Sequence, residues 1–270
     1  MNKYPKRSQI FFSVDRLENK TYESVLFALN SGYHHFTFSE AETNMSELDR
    51  ALVDWFSDDN NDREEYFFQG IISIKDIENN QTRNAITRIS KELDVLRGVD
   101  CLILERPSLN FEWTERAWYE LKVHQEWGVI KFAGVANFDK EQILYLWNKI
   151  NFKPSSNLIE MNIRNQRWDR VAWCQENGIH VQAYGTLQSA NASKKLNEIA
   201  MNKKIPVENF VLAWILNCDI SPCVSSQEEG HIFANYKYRN FELTQEEIIF
   251  FWRLNKFKNK YNESFLIEEK

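Results

Sequence analysis

Residues 71–104, IISIKDIENNQTRNAITRISKELDVLRGVDCLIL, contain the decision about fold. The stretch opens on a short apolar run at 71–74 and closes on a second one, Cys101–Leu104, each of strand length and rich in isoleucine and leucine. Between them Ile86, Ile89, Leu93 and Leu96 recur at three- and four-residue spacing, which puts them on one stripe of a helix, while the opposite face is charged. Gly98 stands where a left-handed helix stop costs least. Strand, helix and strand in this order form a unit whose two strands are parallel, because only a helical crossover joins parallel neighbours so compactly.

The same unit recurs along the chain. Apolar runs at 10–14, 34–38, 71–74, 101–104, 132–135, 158–161, 180–183 and 220–224 are separated by helical segments, and Gly32, Gly98, Gly128 and Gly178 each fall between a helix and the next run. Pro206 sits at the start of a further helix, 207–216, where a missing N–H costs little. Eight units of this kind predict a (β/α)8 TIM barrel, with 1–270 as a single barrel domain. A doubly wound open sheet is the competing architecture, but Phe12-Ser13-Val14-Asp15-Arg16 after the first strand lacks the glycine-rich turn that such a fold uses. In a barrel, chemistry belongs at the C-terminal ends of the strands.

Composition narrows the function classes. With 43% hydrophobic and 27% charged residues the chain has material for a sizeable core, made aromatic by nine Trp and nineteen Phe. A net charge of −6 argues against binding a phosphate backbone, so no nucleic-acid partner is expected. The basic stretch Met1 to Arg7 leads into no apolar run, and no segment reaches the ~20 apolar residues of a membrane span, which predicts a cytoplasmic protein with no membrane partner. Cys101, Cys174, Cys218 and Cys223 have no metal-ligand spacing and read as reduced, mostly buried thiols; no metal site is expected.

Several segments carry a more specific resemblance. Ala28-Leu29-Asn30-Ser31-Gly32-Tyr33-His34-His35-Phe36 followed by Asn44, the segment Leu102-Ile103-Leu104-Glu105-Arg106-Pro107, Gly128-Val129-Ile130-Lys131-Phe132-Ala133-Gly134-Val135-Ala136-Asn137-Phe138, Asn177-Gly178-Ile179-His180-Val181-Gln182-Ala183-Tyr184-Gly185-Thr186-Leu187 and Phe241-Glu242-Leu243-Thr244 resemble, in this order, motifs of the aldo-keto reductases. The resemblance implies a barrel of that type and, by family habit, a monomer acting on a small molecule.

In that family a tyrosine donates a proton to the reduced carbonyl, a lysine paired with an aspartate lowers the tyrosine's pKa, and a histidine orients the substrate. The resemblance places Thr37 at the aspartate position, Glu42 at the tyrosine position with Glu40 as a competitor, Lys75 at the lysine position and Glu105 at the histidine position. For the extended NADP(H) of the family it assigns Asn137 and the stacking ring Tyr184, with Ala136 in place of a serine and Leu158 in place of a glutamine. At the phosphate end Ser225 and Ser226 replace Lys-Ser, His231 replaces an arginine, and Ala234 and Asn235 replace Glu-Asn. Two cations that would grip a phosphate are missing, so the resemblance leaves the cofactor open, NADP(H) included.

Glu42, Lys75 and Glu105 read in two ways. They form either a structural ion-pair network or a pocket in which one carboxylate is held ionised by the ammonium while the other is pushed up by burial and like charge. His34 and His35 adjoin Thr37 on one strand, so their rings point to opposite sides and read as packed, hydrogen-bonded groups; Trp113, Trp118, Trp127 and Trp147 read as outer-layer packing. Three function classes follow: a redox-neutral small-molecule enzyme of cyclase, dehydratase or isomerase type using the Glu/Lys/Glu pocket, an NAD(P)H-dependent oxidoreductase with an altered acid, and a non-catalytic ligand-binding barrel. The first is the leading expectation, because charged groups stand where other charged groups are lost.

Overall fold

In the computed structural model, which describes residues 9–256, each strand pairs in parallel with the next in chain order and the last returns to the first. The strands are β1 (Phe11–Ser13), β2 (His35–Ser39), β3 (Phe67–Ile72), β4 (Cys101–Leu104), β5 (Phe132–Ala136), β6 (Ser156–Glu160), β7 (His180–Tyr184) and β8 (Ser221–Val224). Closure of β8 onto β1 through Phe11–Cys223 and Phe12–Val224 makes a (β/α)8 barrel and rules out the open sheet. The basic stretch Met1 to Arg7 lies outside the described residues. No helix among the described residues is long and apolar enough to cross a membrane.

The outer layer comprises α1 (Thr21–Asn30), α2 (Met45–Phe56), α3 (Ile74–Glu78), α4 (Thr82–Glu92), α5 (Phe111–Glu126), α6 (Lys140–Ile150), α7 (Trp168–Glu176), α8 (Lys194–Asn202), α9 (Val207–Asn217), α10 (Glu229–Lys237) and α11 (Gln245–Trp252). Local chemistry sets many of their starts. Asn44, Ser73, Asn110 and Ser193 accept backbone N–H groups of the first turn, and Asp139 and Thr244 form reciprocal capping boxes with Gln142 and Glu247. The glycines 32, 98, 128 and 178 all have positive φ, as their role in ending helices requires.

The third strand departs furthest from its sequence reading, with consequences for the site. The apolar run at 71–74 is not β3; the strand starts at Phe67 and ends at Ile72. Ser73 then turns the chain, its hydroxyl accepting the Asp76 N–H, and α3 begins at Ile74. Aromatic residues 67 and 68 belong to the sheet, where Phe67 packs against Phe11 and Phe132 inside the barrel, while Phe68 stacks on Phe36 outside it.

Alternation along the strands divides the core in two. Outward-facing residues join the large cluster under the helices; inward-facing ones, including Phe11, Phe67, Cys101, Ile103, Ala136, Leu158 and Cys223, make a separate cluster inside the barrel. By register, alternate strands share a level. Phe67, Phe132 and His180 lie at the bottom, below a level with His35, Cys101, Ser156 and Ser221; His180 bonds the Ser221 hydroxyl at 2.8 Å. Above these, Gln69 and Gln182 exchange side-chain hydrogen bonds of 2.9 and 3.0 Å across the interior. Gly134 shares their level, and a Cβ there would come within 2.6 Å of Ile103 Cγ2, so the barrel has no room for a side chain at this point. Beneath the strands Asp100, 3% exposed, pairs with Arg63 at 2.8 Å and Lys131 at 2.9 Å and accepts the Phe68 N–H, tying β3, β4 and β5 at their starts.

The bottom levels make stability depend on pH. Burial, and then the neighbouring His34 and His180, hold His35 down to about 4, and burial holds His180 down to about 4. Below the ordinary histidine range the unfolded chain takes up protons that the native barrel refuses, so stability falls as pH drops from ~6.5 toward 4, by roughly 2 kcal/mol per histidine. His35→Phe keeps the ring contacts with Phe11 and Phe67. It is expected to remove about half of the loss in urea midpoint that the wild type shows between pH 7 and pH 4.5; an unchanged slope would place the acid sensitivity elsewhere.

Candidate functional site

Inward alternation continued to the strand ends composes the mouth. Ser13, Ile71, Ala136 and Tyr184 share one level, and the next above it has Ser39, Glu105, Glu160 and Ser225. The inward position at the end of β3, which the resemblance reserves for a lysine, is therefore Ile71. Lys75 is an exposed residue of α3, and among the described residues its ammonium joins no ion pair with Glu42 or Glu105. The expected Glu/Lys/Glu pocket is thus not assembled. The shift came from reading β3 four residues too late.

The other members of that set are also held elsewhere. Glu42 pairs with Arg16 at 2.6 Å on the exposed side of the β1 loop, and Glu40 pairs with Arg88 of α4 at 2.6 Å. Thr37 is 1% exposed, below the mouth, 3.4 Å from Gln69 Nε2. Glu105 remains at the rim. Its carboxylate accepts the Ile74 N–H at 2.6 Å, a short charge-assisted bond at the start of α3 that fixes where its oxygens lie.

Asn137 is the hub of the mouth. At the end of β5 it adopts a left-handed conformation with φ 63, which asparagine tolerates better than most residues. Its N–H donates to Leu158 O of β6 at 2.9 Å, its Nδ2 donates to Glu105 O at 3.2 Å, its Oδ1 accepts the Tyr184 hydroxyl at 3.0 Å, and its own carbonyl accepts from Arg170 of α7 at 3.3 Å. One residue therefore joins the ends of β4, β5, β6 and β7. Arg170, 7% exposed, and Glu160, 1% exposed, were not singled out from sequence. Glu160 had a signal in its inward phase two residues after Leu158, whereas Arg170 reaches the rim from an outer helix.

A second unanticipated carboxyl is Asp15, two residues beyond β1. Its Oδ1 accepts the Ser39 N–H at 2.6 Å and the Thr43 hydroxyl at 2.9 Å, and its Oδ2 lies 3.5 Å from the inward Ser13 hydroxyl. Burial, with a smaller push from Glu42, raises its pKa to about 6 against those hydrogen bonds. Ser225 donates to the Asp15 carbonyl at 3.4 Å, while Ser226 Oγ accepts the Glu228 N–H. Asn235, expected at the cofactor, is 7% exposed and accepts from Asn209 at 3.1 Å, a contact between α9 and α10.

A closed parallel barrel with carboxyls and hydroxyls around its strand ends belongs to the α/β-barrel class, which places its chemistry at that rim. The chain belongs to the aldo/keto reductase family, whose model matches residues 18–251. It is 23% identical over 238 residues to an uncharacterized oxidoreductase of Saccharomyces cerevisiae, covering 86% of this chain and 84% of that protein. With Rhazimal reductase 2 of Alstonia scholaris it shares 24% identity over 251 residues, 83% of this chain and 76% of that one. An aldo-keto reductase of Bombyx mori, solved in complex with NADP, superposes with a TM-score of 0.84 at 20% identity over 93% of this chain and 90% of that one.

The residues present meet a dinucleotide unequally. Asn137 and Tyr184 stand together where the resemblance implies the nicotinamide, though Leu158 offers no amide there. At the phosphate end, residues 225–235 contain no lysine or arginine, and Glu228 and Glu229 precede or open α10. With no cation among residues 225–235, the end that the resemblance assigns to the 2′-phosphate does not fit NADP(H).

The hub generates a stability prediction. Asn137→Ala removes two side-chain bonds and leaves alanine in a left-handed conformation, and is expected to cost about 2–4 kcal/mol. Tyr184→Phe, losing one bond, is expected to cost about 1 kcal/mol. Denaturant unfolding of both variants checks the order; equal losses would show that the Tyr184 bond alone supports the rim.

Proposed function

We propose that this member of the family catalyses redox-neutral proton transfer on a small, uncharged, hydroxylated carbonyl compound, an isomerase or dehydratase type of reaction. The supporting observation is the make-up of the mouth: Ile71 stands at the inward end of β3 while Ser39, Glu105, Glu160 and Ser225 form the level above. The carbonyl reduction that the resemblance implies uses a lysine to tune its tyrosine acid, and Ile71 cannot take that part. Carboxyls at two inward positions suit proton removal from carbon, and hydroxyls suit a substrate with hydroxyls of its own. Glu105 is the proton-accepting group in this reading, because the Ile74 N–H and the Asn137 contact at its carbonyl fix its position.

A second reading is an NAD(P)H-dependent oxidoreductase, favoured by the Asn137–Tyr184 pair and by relatives named as reductases. The two part on cofactor dependence. Incubation with hydroxyaldehydes and hydroxyketones in D2O without nicotinamide, followed by NMR, is expected to show deuterium entering the carbon beside the carbonyl. Glu105→Gln is expected to slow this at least ~100-fold, the usual size of a general-base effect, while Lys75→Ala leaves it within twofold. Substrate turnover only with added NADPH or NADH would favour the oxidoreductase instead.

A further inference from the structure

We propose that Asp15 is the acid of this mouth, giving its proton to the substrate's carbonyl oxygen as the Glu105 carboxylate takes a proton from the adjacent carbon. The assignment rests on the redox-neutral reading above and names the group that supplies its second proton. In the step, the C–H electron pair becomes a C=C bond and the carbonyl π pair forms the new O–H bond. Asp15 is left as a carboxylate and Glu105 protonated, and the reverse transfers return a proton to carbon.

Geometry carries the assignment. Asp15 continues the inward phase of Phe11 and Ser13, and its two oxygens differ. Oδ1 is fixed by the Ser39 N–H at 2.6 Å and the Thr43 hydroxyl at 2.9 Å. Among the described residues Oδ2 has only the long 3.5 Å contact with Ser13, the inward hydroxyl of the level below. The loop is pinned on both sides, by Ser225 donating to the Asp15 carbonyl and by the Arg16 N–H donating to Glu42 O at 2.8 Å. A carboxyl with one oxygen anchored and the other turned to the mouth is prepared to exchange a proton without moving.

Burial and the charge of Glu42 favour its protonated form. Glu42 faces it from the β2 loop, with Arg16 engaged by Glu42, and the Cys223 thiol of β8 is itself pushed up by burial and by Asp15. Burial, with a smaller push from Glu42, raises Asp15 to about 6 against its hydrogen bonds, so near neutral pH a usable fraction remains an acid.

Asp15→Asn separates this role from a structural one, since the amide oxygen still accepts from Ser39 and Thr43. Deuterium exchange into the same hydroxycarbonyl panel is followed against pH for both proteins, and carboxyl carbon NMR follows the titration of Asp15 in the wild type. The expected result is a wild-type rate that falls about tenfold per unit above pH 6, a loss of at least 100-fold in the variant with an unchanged melting temperature, and an Asp15 titration near 6. Exchange by Asp15→Asn within threefold of wild type overturns the assignment and leaves the redox-neutral reading standing. Titration of Asp15 below pH 5 overturns it as well. No exchange by the wild-type protein on any compound sinks the redox-neutral reading and this assignment with it.

Discussion

Closure of the sheet is the constraint from which the rest follows. Once β8 pairs with β1, every strand residue is committed either to the helical layer or to the interior, and no side chain can change sides without a slip in register. The interior then stacks in levels drawn from alternate strands. Aromatic rings and histidines fill the bottom, the Gln69–Gln182 pair bridges the middle, and short or acidic side chains remain for the top.

Stability and site are separated along the barrel axis by this arrangement. At the strand starts the buried Asp100 is satisfied by two cations and a backbone N–H, a full set of partners for a charge that would be costly alone. At the strand ends Glu105 and Asp15 are held instead by backbone N–H groups and hydroxyls. Partners of that kind position an oxygen without neutralising it, a condition suited to proton transfer. Asn137 holds the rim in shape by linking four strands, so the residue that the family resemblance assigns to a cofactor also has a structural task.

Family membership and the altered rim fit together physically. A fold of this class tolerates new chemistry because its rim residues contribute little to the core, whereas the inward Gly134 and the outer packing cannot vary freely. Ile71 at the end of β3, where the resemblance implies a lysine, and the acidic start of α10 leave the barrel intact.

Much of the fold was legible in the sequence. Apolar runs of strand length, helical stripes and glycine stops at 32, 98, 128 and 178 are local signals, set by backbone geometry within a few residues, and they determined eight parallel strands with intervening helices. Glu105 and Asn137 could be placed because an apolar strand leads directly into each. The third strand could not, since two adjoining apolar runs, 66–68 and 71–74, both satisfy the pattern and only pairing with β2 and β4 selects Phe67–Ile72. That choice moved the inward position from Lys75 to Ile71. Asp15 and Arg170 became visible only in three dimensions, because their roles depend on partners supplied by distant strands, and side-chain meetings across a closed barrel leave no periodicity in the chain.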